Sequence, residues 1–241
     1  MHEITPNVLA DLAPQGTLRV AINYGNPVLA QEGADDTPLG VSVALAKALA
    51  DELGVELQMT TFDAAGKVFA ALEQDAWRVA FLAIEPVRAA QIEFTEPYVL
   101  IEGTYLVRSD SSWQRVDELD QTQARIAVGR GAAYDLYLSR TLQNASLERA
   151  DTSAGAVDLF IASGLDAAAG VRQPLEQFAQ RNIDYRVLDG AFTAIRQAMA
   201  VPKGKDAGAV YVREFIERRL AEGFVRGALL ASGQTDVSAP R

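Results

Sequence analysis

The chain has 241 residues, enough for one large domain or two smaller ones, and its hydrophobic fraction of 49% and charged fraction of 22% are those of an ordinary soluble globule. Its net charge of −10 is spread without an acidic run, which argues against nucleic acid and anionic membrane as partners. With no cysteine and a single histidine, His2, the chain can build no disulfide, thiol nucleophile, zinc–thiolate site, histidine triad or histidine metal cluster; no cofactor or metal is expected.

The opening Met-His-Glu-Ile-Thr-Pro lacks a basic region, an apolar core and a small-residue cleavage site. No stretch approaches the roughly 18 apolar residues of a membrane span, so direct insertion is not expected. The expected location is the periplasm if a leader has been removed and the cytoplasm otherwise.

Leu18 to Asn23 reads as a first strand ending in the turn-rich Asn23-Tyr-Gly-Asn-Pro27. Val41, Leu45, Leu49 and Leu53 recur every four residues, a helix stripe closed by Gly54. Val55 to Thr61 alternates like a strand, Lys67 to Gln74 suits a helix, and Val79 to Ile84 is an apolar strand of the kind buried on both faces. This β-α-β-α-β order, with crossovers long enough for helices, implies parallel strands in an α/β architecture. The pattern restarts with a strand at Ile126 to Val128 and a helix opened by Gly129-Arg-Gly131 that carries Tyr134, Tyr137, Leu138 and Leu142. A helix over Ala154 to Ser163, strands at Leu165 to Val171 and Tyr185 to Leu188, and a strand at Gln197 to Val201 follow. After the Pro202-Lys-Gly204 turn comes a long amphipathic helix with Val212, Ile216 and Leu220 on one face and Gly223 at its end. There is no internal sequence repeat and no low-complexity linker.

The most informative segment is Phe81-Leu-Ala-Ile-Glu85-Pro86-Val-Arg88, continued by Phe94-Thr-Glu-Pro97-Tyr98. An apolar strand enters a turn, Pro86 takes the first helical position, and Arg88 falls in the first turn. Arginine is a permanent cation with a planar fork of donors that grips a carboxylate two bonds at a time. The residues alone leave two readings open, a ligand clamp and a surface ion pair.

Six stretches resemble, in the same order, the family 3 solute-binding proteins of the amino-acid type that feed ABC transporters. They are Gly16-Thr-Leu-Arg-Val-Ala21, Gly40-Val-Ser-Val-Ala-Leu-Ala-Lys-Ala-Leu-Ala50, the Arg88 segment, Arg125-Ile-Ala-Val-Gly-Arg-Gly131, Gly164-Leu-Asp-Ala-Ala168 and Gln197-Ala-Met-Ala-Val-Pro-Lys-Gly204. The resemblance implies an α/β, two-lobe type II periplasmic-binding-protein fold with a central cleft and two crossover hinge strands, near Glu96–Glu102 and Ala191–Arg196. Lobe 1 would comprise residues 1–98 and 196–241, and lobe 2 residues 99–195. The implied function is capture of a small carboxylate-bearing metabolite, amino-acid-like or another organic acid, by a monomer that hands it to an ABC permease.

The resemblance also implies the site residues. Arg88, beside Ala83 at the end of its strand, would clamp a ligand carboxylate. Ala132 and Ala133 stand where the family usually has two threonines, so their amides remain while the hydroxyls are gone. The family's ammonium-binding Asp has no counterpart, since Val171 or Arg172 stands in its place and Gln173 follows. A buried ammonium without a counter-charge costs several kcal/mol, which makes an α-amino acid doubtful. Arg172 either faces the cleft and favours a second acidic or carbonyl group, or points to solvent. Glu85 replaces a common Thr, with three roles open: helix cap, internal partner of Arg88, or acceptor for a ligand ammonium. Tyr24, Asn26, Phe62, Asp63 and Lys67 occupy loops at strand ends and Gln197 the returning strand, where α/β clefts take ligands. Two other readings use the same scaffold: a cyclohexadienyl dehydratase-like enzyme with Glu85 and Lys67 in acid–base roles, and a cytoplasmic sensor.

Overall fold

The computed structural model describes residues 3–237 and 239; His2 lies outside the described residues. The chain divides into two units, Met1–Leu100 with Arg196–Arg241, and Ile101–Ile195.

The first unit begins with helix α1 (Pro6–Leu12), where Thr5 caps the start by accepting the Val8 N–H and Pro6 sits at the first position. Strand β1 (Thr17–Asn23) leads through the short hairpin β2 (Gln31–Glu32) and β3 (Pro38–Leu39) into α2 (Val41–Leu53), which ends at left-handed Gly54. Strand β4 (Glu56–Phe62), helix α3 (Ala65–Ala70) and strand β5 (Val79–Ala83) complete two crossovers. The expected helix over Lys67–Gln74 is instead α3 followed by one 3₁₀ turn, Ala71–Gln74. After the short α4 (Pro86–Ala89) and β6 (Ile92–Phe94), strand β7 (Val99–Arg108) carries the chain into the second unit.

That unit contains β8 (Arg125–Gly129), α5 (Ala133–Thr141), β9 (Ser146–Ala150), α6 (Ser153–Ala162), β10 (Ala167–Val171), α7 (Arg172–Arg181) and β11 (Tyr185–Val187). The chain returns along β12 (Thr193–Pro202) and closes with α8 (Asp206–Ala221) and α9 (Phe224–Ala231) in the first unit.

The strand order in the first unit is β4-β1-β5-β12, with β1, β4 and β5 parallel and β12 antiparallel to β5. In the second it is β9-β8-β10-β7, with β8, β9 and β10 parallel and β7 antiparallel to β10. The two units therefore share one topology although the sequence shows no repeat. In each, the first parallel strand lies in the middle, so the chain winds out to one side and back to the other. Right-handed crossovers then place the two connecting helices on opposite faces.

Each unit has its own core. In the first, Trp77 is fully buried against Val68, Ala80, Leu82 and Ile92, and its indole N–H donates to the Val68 carbonyl at 2.9 Å. In the second, Phe160 packs with Leu106, Leu165 and Leu175. Burying a side chain of that size contributes about 1.5–3 kcal/mol. No helix among the described residues is long and apolar enough to cross a membrane.

Candidate functional site

Ligands of open α/β sheets bind outside the carboxyl ends of the parallel strands, where the winding reverses. In the first unit those ends are Asn23, Phe62 and Ala83. The loop after β1 is built from two side-chain turns: Asn23 Oδ1 accepts the Gly25 N–H at 2.9 Å, and Asn26 Oδ1 accepts the Val28 N–H at 3.2 Å. The Tyr24 N–H donates to the Phe62 carbonyl at 2.7 Å and so ties this loop to β4. Gly25 is required there, because a Cβ would lie 2.6 Å from the Asp63 carbonyl oxygen. Tyr24 is half-buried, and its hydroxyl pKa is raised by burial first and then by Glu32 and Asp36. Asn26 is buried with its oxygen used inside the turn.

After β5 the backbone turns at Glu85, whose carbonyl accepts the N–H groups of Arg88 at 3.0 Å and Ala89 at 2.9 Å. Glu85 holds the cap position of α4, but its side chain makes no capping bond. Arg88 folds back over this turn, and its Nη1 donates to the Ala83 carbonyl at 3.0 Å. Arg88 is 1% exposed and Glu85 7%. Burial pushes the Arg88 guanidinium down to about 10 while the Glu85 carboxylate pushes it back up, so the arginine stays charged at neutral pH. Gln197 lies opposite Ala83 in the antiparallel register, is buried, and accepts the Tyr98 N–H on its carbonyl at 2.8 Å. Ala83, Glu85, Arg88 and Gln197 thus converge at one strand end. Lys67 does not join them; its ammonium pairs with Asp63 at 2.8 Å, and its side chain is 51% exposed.

In the second unit the corresponding ends are Gly129, Ala150 and Val171. Ala132 is the cap residue of α5 and follows Gly131, whose φ of 70° suits glycine. Ala132 and Ala133 are both buried. Two loop amides are already engaged: Ala132 N–H donates to the Gly129 carbonyl at 3.1 Å, and Gly131 N–H to Asp135 Oδ2 at 2.8 Å. The first N–H groups of α5 have no intrahelical acceptor and face outward along the helix axis.

Asp135, not singled out by the sequence reading, holds the turn that opens α5. Its buried carboxylate also accepts from Arg149 Nε at 3.0 Å and Ser139 Oγ at 3.2 Å. An acid in the first turn of a helix opened by glycines was the available signal. Tyr134 donates to Ser153 Oγ at 2.7 Å, and burial raises its hydroxyl pKa to about 12. Phe192 rests on Tyr105 at 4.7 Å and stacks with Tyr137 of α5 at 6.0 Å between ring centres.

Arg172 differs from expectation. Strand β10 stops at Val171, and Arg172 begins α7 instead of prolonging the strand. Pro174 obscured this helix in the sequence, yet proline is tolerated in a first turn. The guanidinium neither points to solvent nor stays available to an acid. Its Nε donates to Glu102 Oε2 at 2.5 Å, Nη2 to the Gly190 carbonyl at 2.6 Å and Nη1 to Glu176 Oε1 at 3.3 Å. Burial lowers its pKa, but the bonds to Glu102 and Glu176 outweigh this and raise it. Gln173 follows, with its side-chain oxygen buried and without a hydrogen-bond partner among the described residues. Among the described residues no group of three or more His, Cys, Asp or Glu is arranged to hold a metal.

The profile of bacterial extracellular solute-binding proteins, family 3, matches residues 18–227. None of the curated proteins compared with the chain matches it. Among solved structures, the chain is similar to a cysteine-binding protein from Campylobacter jejuni, with 20% identity, 93% of this chain and 92% of that one covered, and a TM-score of 0.80. It is similar to an amino acid ABC transporter substrate-binding protein from Streptococcus pneumoniae bound to L-arginine, with 22% identity, 92% and 96% covered, and a TM-score of 0.79. A histidine kinase sensor domain with similarity to periplasmic binding proteins matches with 22% identity, 93% and 98% covered, and a TM-score of 0.79. At such identities these likenesses show the fold alone, the two-lobe type II periplasmic-binding-protein fold.

Proposed function

Because the chain belongs to the bacterial extracellular solute-binding proteins of family 3, we propose that it reversibly binds a small carboxylate-bearing metabolite and delivers it to an ABC permease from outside the cytoplasm. The observation that carries this reading is the buried, charged Arg88, held on the Ala83 carbonyl at the carboxyl end of a parallel strand. A guanidinium in that position, with Gln197 beside it, suits one carboxylate. In the second unit, the helix start of α5 is an anion-accepting end of its own; a charge-assisted bond of either kind is worth about 1.5–3 kcal/mol. Ala132 and Ala133 contribute backbone only, Tyr24 and Asn26 shape the loop after β1, and Gln173 offers an uncharged polar contact. Arg172 serves as a brace, since its donors are engaged within its own unit.

The test is a thermal-shift screen against amino acids, mono- and dicarboxylates and heterocyclic acids. A ligand at a thousand times its Kd adds about 4 kcal/mol of stability. For a protein of this size that raises Tm by about 8–16 °C. Absence of any shift after unfolding and refolding to strip carried-over ligand counts against the reading.

The likeness to a histidine kinase sensor domain favours a second reading, ligand sensing. Both require binding, and stimulation of a permease–ATPase pair by the loaded protein separates them.

A further inference from the structure

Helices α1 and α8 of the first unit pack against each other. They meet closely at Gly208: its N–H donates to Asp11 Oδ2 at 3.0 Å, and a Cβ there would lie 2.8 Å from the Leu12 side chain. Along this junction runs an open groove of about 430 Å³. Val8, Ala207 and Val210 give it an apolar lining, and Glu3, Asp206 and Glu214 line it too. No Lys, Arg or His is among the described residues that line it. Helix α8 turns Val212, Phe215 and Ile216 into the core of its unit, but Val210 lies off that face and is 48% exposed. Single exposed apolar side chains are ordinary on protein surfaces. Val210 differs in its setting. Asp206, Val210 and Glu214 stand four residues apart on one face of α8, so the valine lies midway between two acids about 12 Å apart along the helix axis.

Beyond the solute-binding reading and independent of it, we propose that this groove docks a basic amphipathic helix of a protein partner. Apolar side chains of that helix cover Val8, Ala207 and Val210, while its Lys or Arg residues, about two turns apart, meet Asp206 and Glu214. The charge pattern chooses this occupant. A second copy of the chain carries a net charge of −10 and brings the same acids to the contact, so it is repelled. Anionic lipid and nucleic acid are repelled in the same way. A basic helix is drawn to the acids and gains by covering the apolar strip. Exposed ion pairs alone are weak and screened by salt, so the strip around Val210 supplies much of the affinity and the acids select the partner.

The experiment is fluorescence anisotropy of the full chain with labelled synthetic peptides of about 15 residues, long enough to form a helix on a surface. One carries a leucine stripe flanked by lysines, a second replaces the leucines by glutamine, and a third replaces the lysines by glutamate. The wild type is expected to bind the leucine–lysine peptide about tenfold or more tighter than either control. Val210→Glu adds a negative charge, which would strengthen adhesion by charge alone, yet it is expected to weaken binding by about tenfold or more. Asp206→Asn is expected to weaken it about threefold or more, whereas Asp158→Asn, the same charge change at an exposed position of α6, leaves it unchanged. Val210 and Asp206 are both exposed, so these variants are expected to keep the wild-type Tm. Undiminished binding by Val210→Glu, or equal losses in Asp206→Asn and Asp158→Asn, shows adhesion to net charge and overturns the inference. So does a leucine–lysine peptide that binds no tighter than its controls. Concentration-dependent dimers in sedimentation that Val210→Glu dissolves place a second copy in the groove and overturn it as well.

Discussion

Replacing Arg172 by Met tests whether that arginine is a brace or a ligand contact. The substitution keeps much of the apolar stem and removes three bonds: to the Gly190 carbonyl at 2.6 Å, to Glu102 at 2.5 Å and to Glu176 at 3.3 Å. Glu102 and Glu176 are 55% and 45% exposed, so both rehydrate when the guanidinium goes and neither becomes a buried lone charge. Each exposed ion pair is then worth only about 0.2–1 kcal/mol. The carbonyl bond to a charged donor contributes about 1.5–3 kcal/mol, toward the lower end for a partly exposed partner. The expected loss is about 2–3 kcal/mol, which at this chain length lowers Tm by about 4–12 °C. Urea unfolding followed by fluorescence is suitable, because Trp113 reports on the second unit and Trp77 on the first. Ligand affinity, titrated on the same preparation, should fall by less than about fivefold, or about 1 kcal/mol. A stability loss below about 1 kcal/mol together with an affinity loss of about fiftyfold or more would refute the reasoning, since the guanidinium would then be serving the ligand.

Arg88→Met should abolish measurable ligand binding and destabilise the first unit by about 3–5 kcal/mol, because Glu85 is left buried without its partner; titration and urea unfolding check both. Gly25→Ala should cost about 1–3 kcal/mol, since its Cβ meets the Asp63 carbonyl oxygen at 2.6 Å, and unchanged Tm would contradict that closeness. Asp120 is held below the usual carboxylate range: burial works against this, but the N–H groups of Ala145, Asn144 and Gln143 outweigh it. Its contribution is therefore present in full above the unfolded value of about 3.9 and is lost as pH falls through the lower folded value. Asp120→Ala should cost about 1–3 kcal/mol at pH 7, and the gap from wild type should close in acid, which unfolding curves across pH will show.

Much of the framework was legible because strand interiors announce themselves. Val79–Ala83 is an unbroken apolar run and is buried at every position, while the four-residue stripe from Val41 to Leu53 could only be a helix. Elements without such a pattern stayed hidden. Strand β9 reads Ser-Leu-Glu-Arg-Ala, an edge strand whose polar residues face water, and α7 carries a proline in its first turn. Arg88 could be singled out by its residue type alone, and the structure adds its burial and its bond to the Ala83 carbonyl. Partnership was not legible, since the sequence cannot show that Arg172 reaches Glu102, 70 residues away, or that Asp135 reaches Arg149 on the next strand.

These two kinds of legibility have one origin. The winding order β4-β1-β5-β12 recurs as β9-β8-β10-β7 without a sequence repeat, because crossover handedness and strand burial constrain it, and many apolar sequences satisfy those constraints. Residues at the carboxyl ends of the strands carry no such burden. They lie outside the sheet's interior, and the departures that the resemblance implies fall there: Glu85, Ala132, Ala133 and Arg172. Two of the four show how a change at a strand end is compensated locally. Arg172 brings its own carboxylates at Glu102 and Glu176, and Glu85 sits against Arg88, so each altered charge is neutralised inside the unit that holds it. Local neutrality of this kind leaves no lone charge at the strand end. The charges at the strand ends are therefore better read from how they are paired than from which of them are present.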